Sequence, residues 1–393
     1  MRQFVTAAAL AALVVAPACT TVQPNVNLPT AEAEALRVET VAQQAAALER
    51  LRDHHQRVST MGYRLVTSNV DLCPRRGPVQ GVTVFATRQL PRELRGAARD
   101  VFGVNDDVSV FTVVGGSAAE RAGVKAGQRL AAINGEQVRS FSGDANSRWT
   151  SGAEVERVRE RLERAFDRGA VRLRLADASG EREIVVQGEP ACDYDVLLFQ
   201  ADDVNAAADG DDVAITTGMA RYAQSDEELA LVIGHELAHN AMRHRERLAA
   251  STRLARVGGL LGSILIGAAT GVSVDLYSLA ARGTKQTRLT LEREADYVGM
   301  YFAARAGYDV SKATSFWRRL GADYPTSTYT RFSHPGSPER SLNISATAEE
   351  IAQKRTSQLA LTPTPAKLEQ LEQATTTAVA QEDKAAPPAA AKP

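Results

Sequence analysis

Neither sign of charge is in excess in this chain. Its 393 residues hold 46 Lys and Arg against 47 Asp and Glu, a formal net charge of −1. A nucleic-acid-binding surface ordinarily leaves a basic excess or stripe, so that class has no support. Long apolar runs are scarce as well. The eighteen uncharged residues between Arg256 and Asp275, "VGGLLGSILIGAATGVSV", only just reach the length of a membrane span. They include five glycines and no aromatic belt. We read 257–274 as a buried or membrane-touching helical insertion, with a true span as the alternative. Cysteine is limited to Cys19, Cys73 and Cys192. What remains is globular in composition, 44% hydrophobic and 24% charged, and the length allows a sizeable core and two folded units.

The N-terminus, "MRQFVTAAALAALVVAPACTT", places Arg2 before the apolar run Phe4 to Ala16 and then small residues, the pattern of a secretory signal over 1–19. Ala16-Pro17-Ala18 fits an ordinary cleavage site. It also stands directly before Cys19, which resembles a bacterial lipoprotein signal, although Ala16 and Pro17 depart from the usual residues. That resemblance implies lipidation of Cys19 and a periplasmic chain anchored to the membrane. With Thr20 rather than Asp next, it implies the outer membrane. A free periplasmic form is the alternative. Export leaves Cys73 and Cys192 as an even pair in an oxidising compartment, where a disulfide is expected. Two buried free thiols are the alternative.

After Pro29 the chain lacks Gly and Pro through about Met61 and is rich in Ala, Glu, Gln, Leu and Arg, which predicts one long helix following a short polar tether. Residues 73–190 differ in character. "VSVFTVV" alternates like a strand, "GAEVERVRERLERAF" carries apolar residues at helical spacing, and "VRLRLADASGEREIVVQ" reads as a hairpin turning at Ser179-Gly180. Between them, "GSAAERAGVKAGQRLAAINGEQV" resembles the central segment of bacterial PDZ domains. The resemblance implies a β-rich domain that captures peptide C-termini on a sheet edge. The segment 101–107, "VFGVNDD", stands where a carboxylate-binding loop would be and departs from the usual sequence. A PDZ fold serving only as a spacer is the alternative. Beyond residue 346 the chain drifts into Thr, Gln, Ala and Pro, which predicts a disordered tail over 346–393. A terminal helix at about 364–375 is the alternative.

The chemistry lies in 191–345. In "VIGHELAHNAMRH", His235 and His239 are four residues apart, so on a helix both imidazoles leave one face. Ser225, followed by Asp226, Glu227 and Glu228, suits the start of that helix. Glu236, beside the first histidine, reaches a water at the metal without being a ligand. A chance match to this H-E-x-x-H arrangement in such a chain is on the order of one per cent. A catalytic zinc site needs a third protein ligand and leaves its fourth position for water. "LTLEREADYVGMYFAARAGYD" offers Glu292 as that ligand and Asp296, one turn on, to orient a ligand histidine. A surface carboxylate is the alternative for Glu292. Glu294 is expected to face solvent, and His54, His55 and His244 are expected to lack partners.

"HELAH", "EREAD" and "SHPGSPER", in that order, resemble the HtpX-like zinc metalloendopeptidases, relatives of the CAAX prenyl protease of type one. "ITTGM" before the motif helix and "AGYDVSKATSFWRRL" after the acidic one match too. The resemblance implies an α+β protein: a mostly helical gluzincin-type domain with a small edge-stranded sheet, beside the PDZ-like domain. It implies one Zn(2+) per chain on His235, His239 and Glu292, with Glu236 as general base. His334 would lie near the metal as an oxyanion donor or a resting fourth ligand, and Arg340 would line the site. An exposed turn is the alternative for His334. By the same resemblance, 20–72 belongs to the peptidase domain, 73–190 is inserted in it, and Cys73–Cys192 clips the insertion's base. Strand 212–217 is expected to be an edge on which an extended substrate pairs. The function implied is an endopeptidase acting on misfolded or outer-membrane proteins. The alternative is a peptide-binding or chaperone-like assembly factor with a repressed metal site.

Overall fold

The computed structural model describes residues 31–104, 106–138, 153–249, 276–324 and 338–364. Cys19, the stretch 257–274, His334 and the end of the tail from 365 lie outside them. Contacts divide the chain into Met1–Gln43 and Gln44–Pro393. Among the described residues the first unit holds only the start of helix α1 (Ala33–Ser68).

Helix α1 runs past the stretch free of Gly and Pro, through Gly62. Glycine inside a helix costs about 1 kcal/mol relative to alanine. Here a Cβ at Gly62 would stand 2.7 Å from Val196 Cβ, so the missing side chain lets α1 lie close on strand β9 (Asp195–Phe199). Val58, Met61, Leu65 and Val66 thereby join the largest hydrophobic core of the described residues.

Between α1 and β9 lies a module with its own core. Its strands are β1 (Arg76–Val79), β2 (Val82–Phe85), β3 (Ser109–Val113), β4 (Arg129–Ile133), β5 (Glu136–Gln137), β6 (Val171–Asp177), β7 (Gly180–Val186) and β8 (Glu189–Cys192). Its helices are α2 (Arg95–Phe102), α3 (Ala118–Arg121) and α4 (Ala153–Phe166). The main sheet runs β2-β3-β4-β6-β7, with β5 beside β4. Leu162 and Phe166 of α4 pack with Leu130, Leu173 and Leu175 as their spacing requires. The hairpin forms as predicted, but its loop is Ala178–Ser179, because Asp177 pairs with Gly180 across the sheet. In 101–107, Val101 and Phe102 close α2, while the Asp106 carboxylate accepts from Thr87 and Arg99 within the module. At the base, β1 pairs antiparallel with β8, and Cys73 and Cys192 form a disulfide with Cα atoms 5.5 Å apart.

The second sheet is small, ordered β10-β11-β9, with β10 at Ala206–Ala208 and β11 at Asp212–Thr216. This corrects the edge expected at 212–217. Strand β11 is central, parallel to β9 on one side and antiparallel to β10 on the other. Helices α5 (Thr217–Tyr222), α6 (Asp226–Ala241), α7 (Leu276–Arg305), α8 (Ala313–Asp323) and α9 (Pro338–Thr356) complete the architecture, which is α+β. The expected tail also begins later than residue 346. Ile344, Thr347 and Ile351 recur at helical spacing and are buried, so α9 continues to Thr356. Beyond it, Thr364 Oγ1 donates to Glu350 and its backbone N–H donates to Tyr297.

Candidate metal centre

Helix α6 is started firmly. Ser225 Oγ accepts from the Glu228 N–H as the N-cap, and the Glu228 carboxylate accepts from the N–H of Gln224, one residue before the cap, at 2.7 Å. Arg319 of α8 donates to both Glu228 oxygens at 2.8 and 2.6 Å. Midway, α6 meets α7 backbone to backbone. A Cβ on Gly234 would stand 2.6 Å from Gly299 O, and one on Gly299 would stand 2.7 Å from His235 Cα. This crossing sets the histidine face of α6 against the carboxylate face of α7. Asn240, just past His239, accepts from the Gly210 N–H at 2.9 Å and donates to Asp212 O at 3.1 Å, tying the β10–β11 turn to the same helix.

The crossing brings together His235, His239 and Glu292, whose ligating atoms lie within 4.8 Å of one another. His235 Nε2 and His239 Nε2 are 3.1 Å apart; Glu292 Oε2 lies 3.4 Å from the first and Glu292 Oε1 lies 3.6 Å from the second, so its carboxylate spans the two. Tetrahedral donors about 2.0–2.1 Å from a zinc ion stand roughly 3.3–3.4 Å apart. The three separations therefore suit a zinc-sized centre, and two neutral imidazoles with one carboxylate suit its chemistry. Glu236 is buried on the same helix.

Each histidine is backed on its other ring nitrogen. His235 Nδ1 lies 2.9 Å from Asp296 Oδ1. Asp296 in turn accepts from Arg340 Nε at 2.7 Å and Nη2 at 2.6 Å. Without a metal, burial would lower the His235 pKa, but the Asp296 and Glu292 carboxylates outweigh it and hold it up at about 9, so a bound cation would have to displace that proton. Burial alone would raise Asp296, but Arg340 and His235 hold it below the usual carboxylate range. Arg340 was expected to line the site. The structure instead places it behind Asp296, buried, with its guanidinium 3.8 Å from the centroid of the Trp317 ring. Its charge also acts on Glu292 and Glu236.

Two further expectations are corrected. Glu294 does not face solvent; it is 5% exposed and meets His244, itself 3% exposed, at 3.1 Å. His244 does not lack partners, because its Nδ1 lies 2.9 Å from His239 Nδ1. The spacing His239 to His244 carries no helical signal, since α6 ends at Ala241 and a positive φ at Arg243 turns the chain back. The alternation Glu292–Glu294–Asp296 was visible, but which neighbours each side chain meets depends on α6. His55 is half-buried on α1. It packs edge-on against Phe111 at 5.0 Å, and burial lowers its pKa to about 4.

Comparison with known proteins agrees with this geometry. Residues 172–348 match the model of Peptidase family M48, and residues 110–164 match that of the PDZ domain. The peptidase match begins inside the β6–β7 hairpin, although α1 shares its core. A putative beta-barrel assembly-enhancing protease of Vibrio cholerae is 30% identical over 157 residues, covering 38% of this chain and 32% of that protein. The beta-barrel assembly-enhancing protease of Escherichia coli K12 is 32% identical over 139 residues, covering 32% and 28%. The mitochondrial metalloendopeptidase OMA1 of Arabidopsis thaliana is 29% identical over 130 residues, covering 33% and 26%. The chain thus spans about a third or less of the length of these curated relatives. Among the described residues, no helix is long and apolar enough to cross a membrane. The chain therefore carries a peptidase domain of family M48 together with a PDZ domain.

Proposed function

We propose that the chain is a zinc-dependent endopeptidase of the cell envelope that cleaves misfolded or outer-membrane proteins. The observation that carries this reading is the meeting of His235, His239 and Glu292 within 4.8 Å, with Glu236 on the same helix. Zinc bound by those three groups would polarise the scissile carbonyl and acidify the attacking water. Glu236 takes the proton from that water and returns it to the leaving amine. Asp296 and Arg340 hold His235 in place. An extended substrate pairs along β10, the edge strand that packs on α6, and the PDZ domain offers a second place for a peptide C-terminus. Two relatives are named for β-barrel assembly, which supports a substrate among outer-membrane proteins. The N-terminal signal with Cys19 as lipid anchor supports a periplasmic site at that membrane. The paired ends of the PDZ-bearing block support its reading as an insertion clipped by Cys73–Cys192.

The test is zinc analysis together with proteolysis of a denatured substrate, comparing wild type with Glu236→Gln. We expect one zinc per chain in both, with cleavage reduced about 100- to 10,000-fold in the variant. Undiminished cleavage would remove Glu236 from the mechanism, and absence of zinc from wild type would remove the metal.

A further inference from the structure

The second ligand histidine is backed by a longer relay than the first. His239 turns Nε2 towards His235 and Glu292, so Nε2 is its ligating atom. Its Nδ1 lies 2.9 Å from His244 Nδ1, and His244 Nε2 lies 3.1 Å from Glu294 Oε2. Arg247 Nη1 donates to that same oxygen at 2.6 Å. An ionised carboxylate only accepts, so the proton facing Glu294 sits on His244 Nε2. A ligating Nε2 carries no proton, so the single N–H of His239 is on Nδ1 and points at His244 Nδ1, which accepts it through its lone pair. The geometry thus fits one chain of donors, from His239 Nδ1 to His244 Nδ1 and from His244 Nε2 to Glu294.

We propose that Glu294 and His244 are positioning residues of the metal centre, fixing His239 with Nδ1 protonated and the Nε2 lone pair turned towards the metal. His244 is not itself a ligand, because both its ring nitrogens are engaged in the relay. The inference rests on the zinc reading of the site and adds two residues to it. It also gives the Glu292-x-Glu294-x-Asp296 alternation a division of labour. Glu292 faces the metal, Asp296 backs one histidine directly, and Glu294 backs the other through His244.

The test measures zinc affinity of the full chain by competition with a chelator, in wild type, His244→Leu and His244→Asn. Leucine keeps most of the ring's volume but accepts no hydrogen bond. Asparagine loses volume but places a carbonyl oxygen near the position of Nδ1. We expect His244→Leu to bind zinc about 10- to 100-fold more weakly, and His244→Asn to recover most of that loss. A role in packing alone predicts the reverse order. A second measurement needs no variant: in zinc-loaded wild type with 15N-labelled histidines, the two Nδ1 atoms should show scalar coupling across the hydrogen bond, with the proton on His239. Equal affinity in all three proteins, the reverse order, or the proton on His244 would each overturn the relay while leaving the zinc centre standing. Wild type that binds no zinc would overturn the metal reading and this inference with it.

Discussion

The buried cluster of the PDZ domain, around Leu130, Leu162, Phe166, Leu173 and Leu175, is hydrocarbon, and among the described residues no Asp or Glu between 73 and 190 is buried. Behind the metal centre the buried groups are Glu236, His244, Glu294, Asp296 and Arg340. A hydrocarbon core gains from each apolar side chain separately, so losing one contact costs only that contact and its cavity. A buried charge must be matched by its partner, so losing one group leaves another exposed to the full desolvation penalty. Among the described residues, buried charge in the 73–190 block is limited to Arg88 and Arg95, whereas behind the metal centre acids, bases and an arginine are buried together and depend on one another.

The sharpest way to break this contrast is Arg340→Leu. It removes the two Arg340 donors and leaves the buried Asp296 carboxylate with His235 Nδ1 beside it. We expect a loss of about 3–5 kcal/mol in stability, with weakened zinc binding as a second readout. Denaturant unfolding with a parallel chelator titration checks it. A stability change under about 1 kcal/mol would show that the Arg340–Asp296 pair is dispensable.

The disulfide joins the two domains' chains rather than their chemistry, so its removal should act on stability and spare the metal. Cys73 and Cys192 are 119 residues apart. The double change Cys73→Ser with Cys192→Ser should cost about 2–4 kcal/mol, mainly by freeing the unfolded chain. Zinc affinity of the folded protein should stay within a few-fold. An unchanged melting temperature would mean that the β1–β8 pairing alone holds the base of the PDZ-bearing block.

The smallest effect is expected where the domains touch through partly exposed charge. Arg159 of α4 sits among Glu156, Glu163, Asp195 and Asp212, the last two belonging to β9 and β11. Burial and the neighbouring Asp195 raise the Glu163 pKa to about 8. A carboxyl whose pKa is raised in the folded state binds more protons there than in the unfolded chain, so its contribution to stability falls as pH rises from about 4.5 to about 8. The melting temperature should decline slightly over that interval, and Glu163→Gln should flatten the decline. An identical slope in the variant would assign the pH dependence to other groups.

Much of the site could be read before any fold was known, for a local reason. A helix repeats every 3.6 residues, so the spacing of His235 and His239, and of Glu292 and Asp296, already places each pair on one face. The helical run of α1, the hairpin β6–β7 and the even pair Cys73 and Cys192 follow from equally local rules. The continuation of α9 past 346 was also within reach, through the spacing of Ile344, Thr347 and Ile351. Strand order was not, because β9, β10 and β11 choose neighbours by contacts made after the chain has turned. Nor was the meeting of α6 and α7 at Gly234 and Gly299, where two absent side chains let backbones touch, or the burial of Arg340 against Trp317. His244 and Glu294 are 50 positions apart and become partners only through that crossing. Which residues share a helix face was legible in the chain, since that depends on backbone geometry alone. Which faces meet, and so which buried carboxylate answers which histidine, was settled by packing, because the desolvation that makes those pairings matter does not exist until the helices are packed.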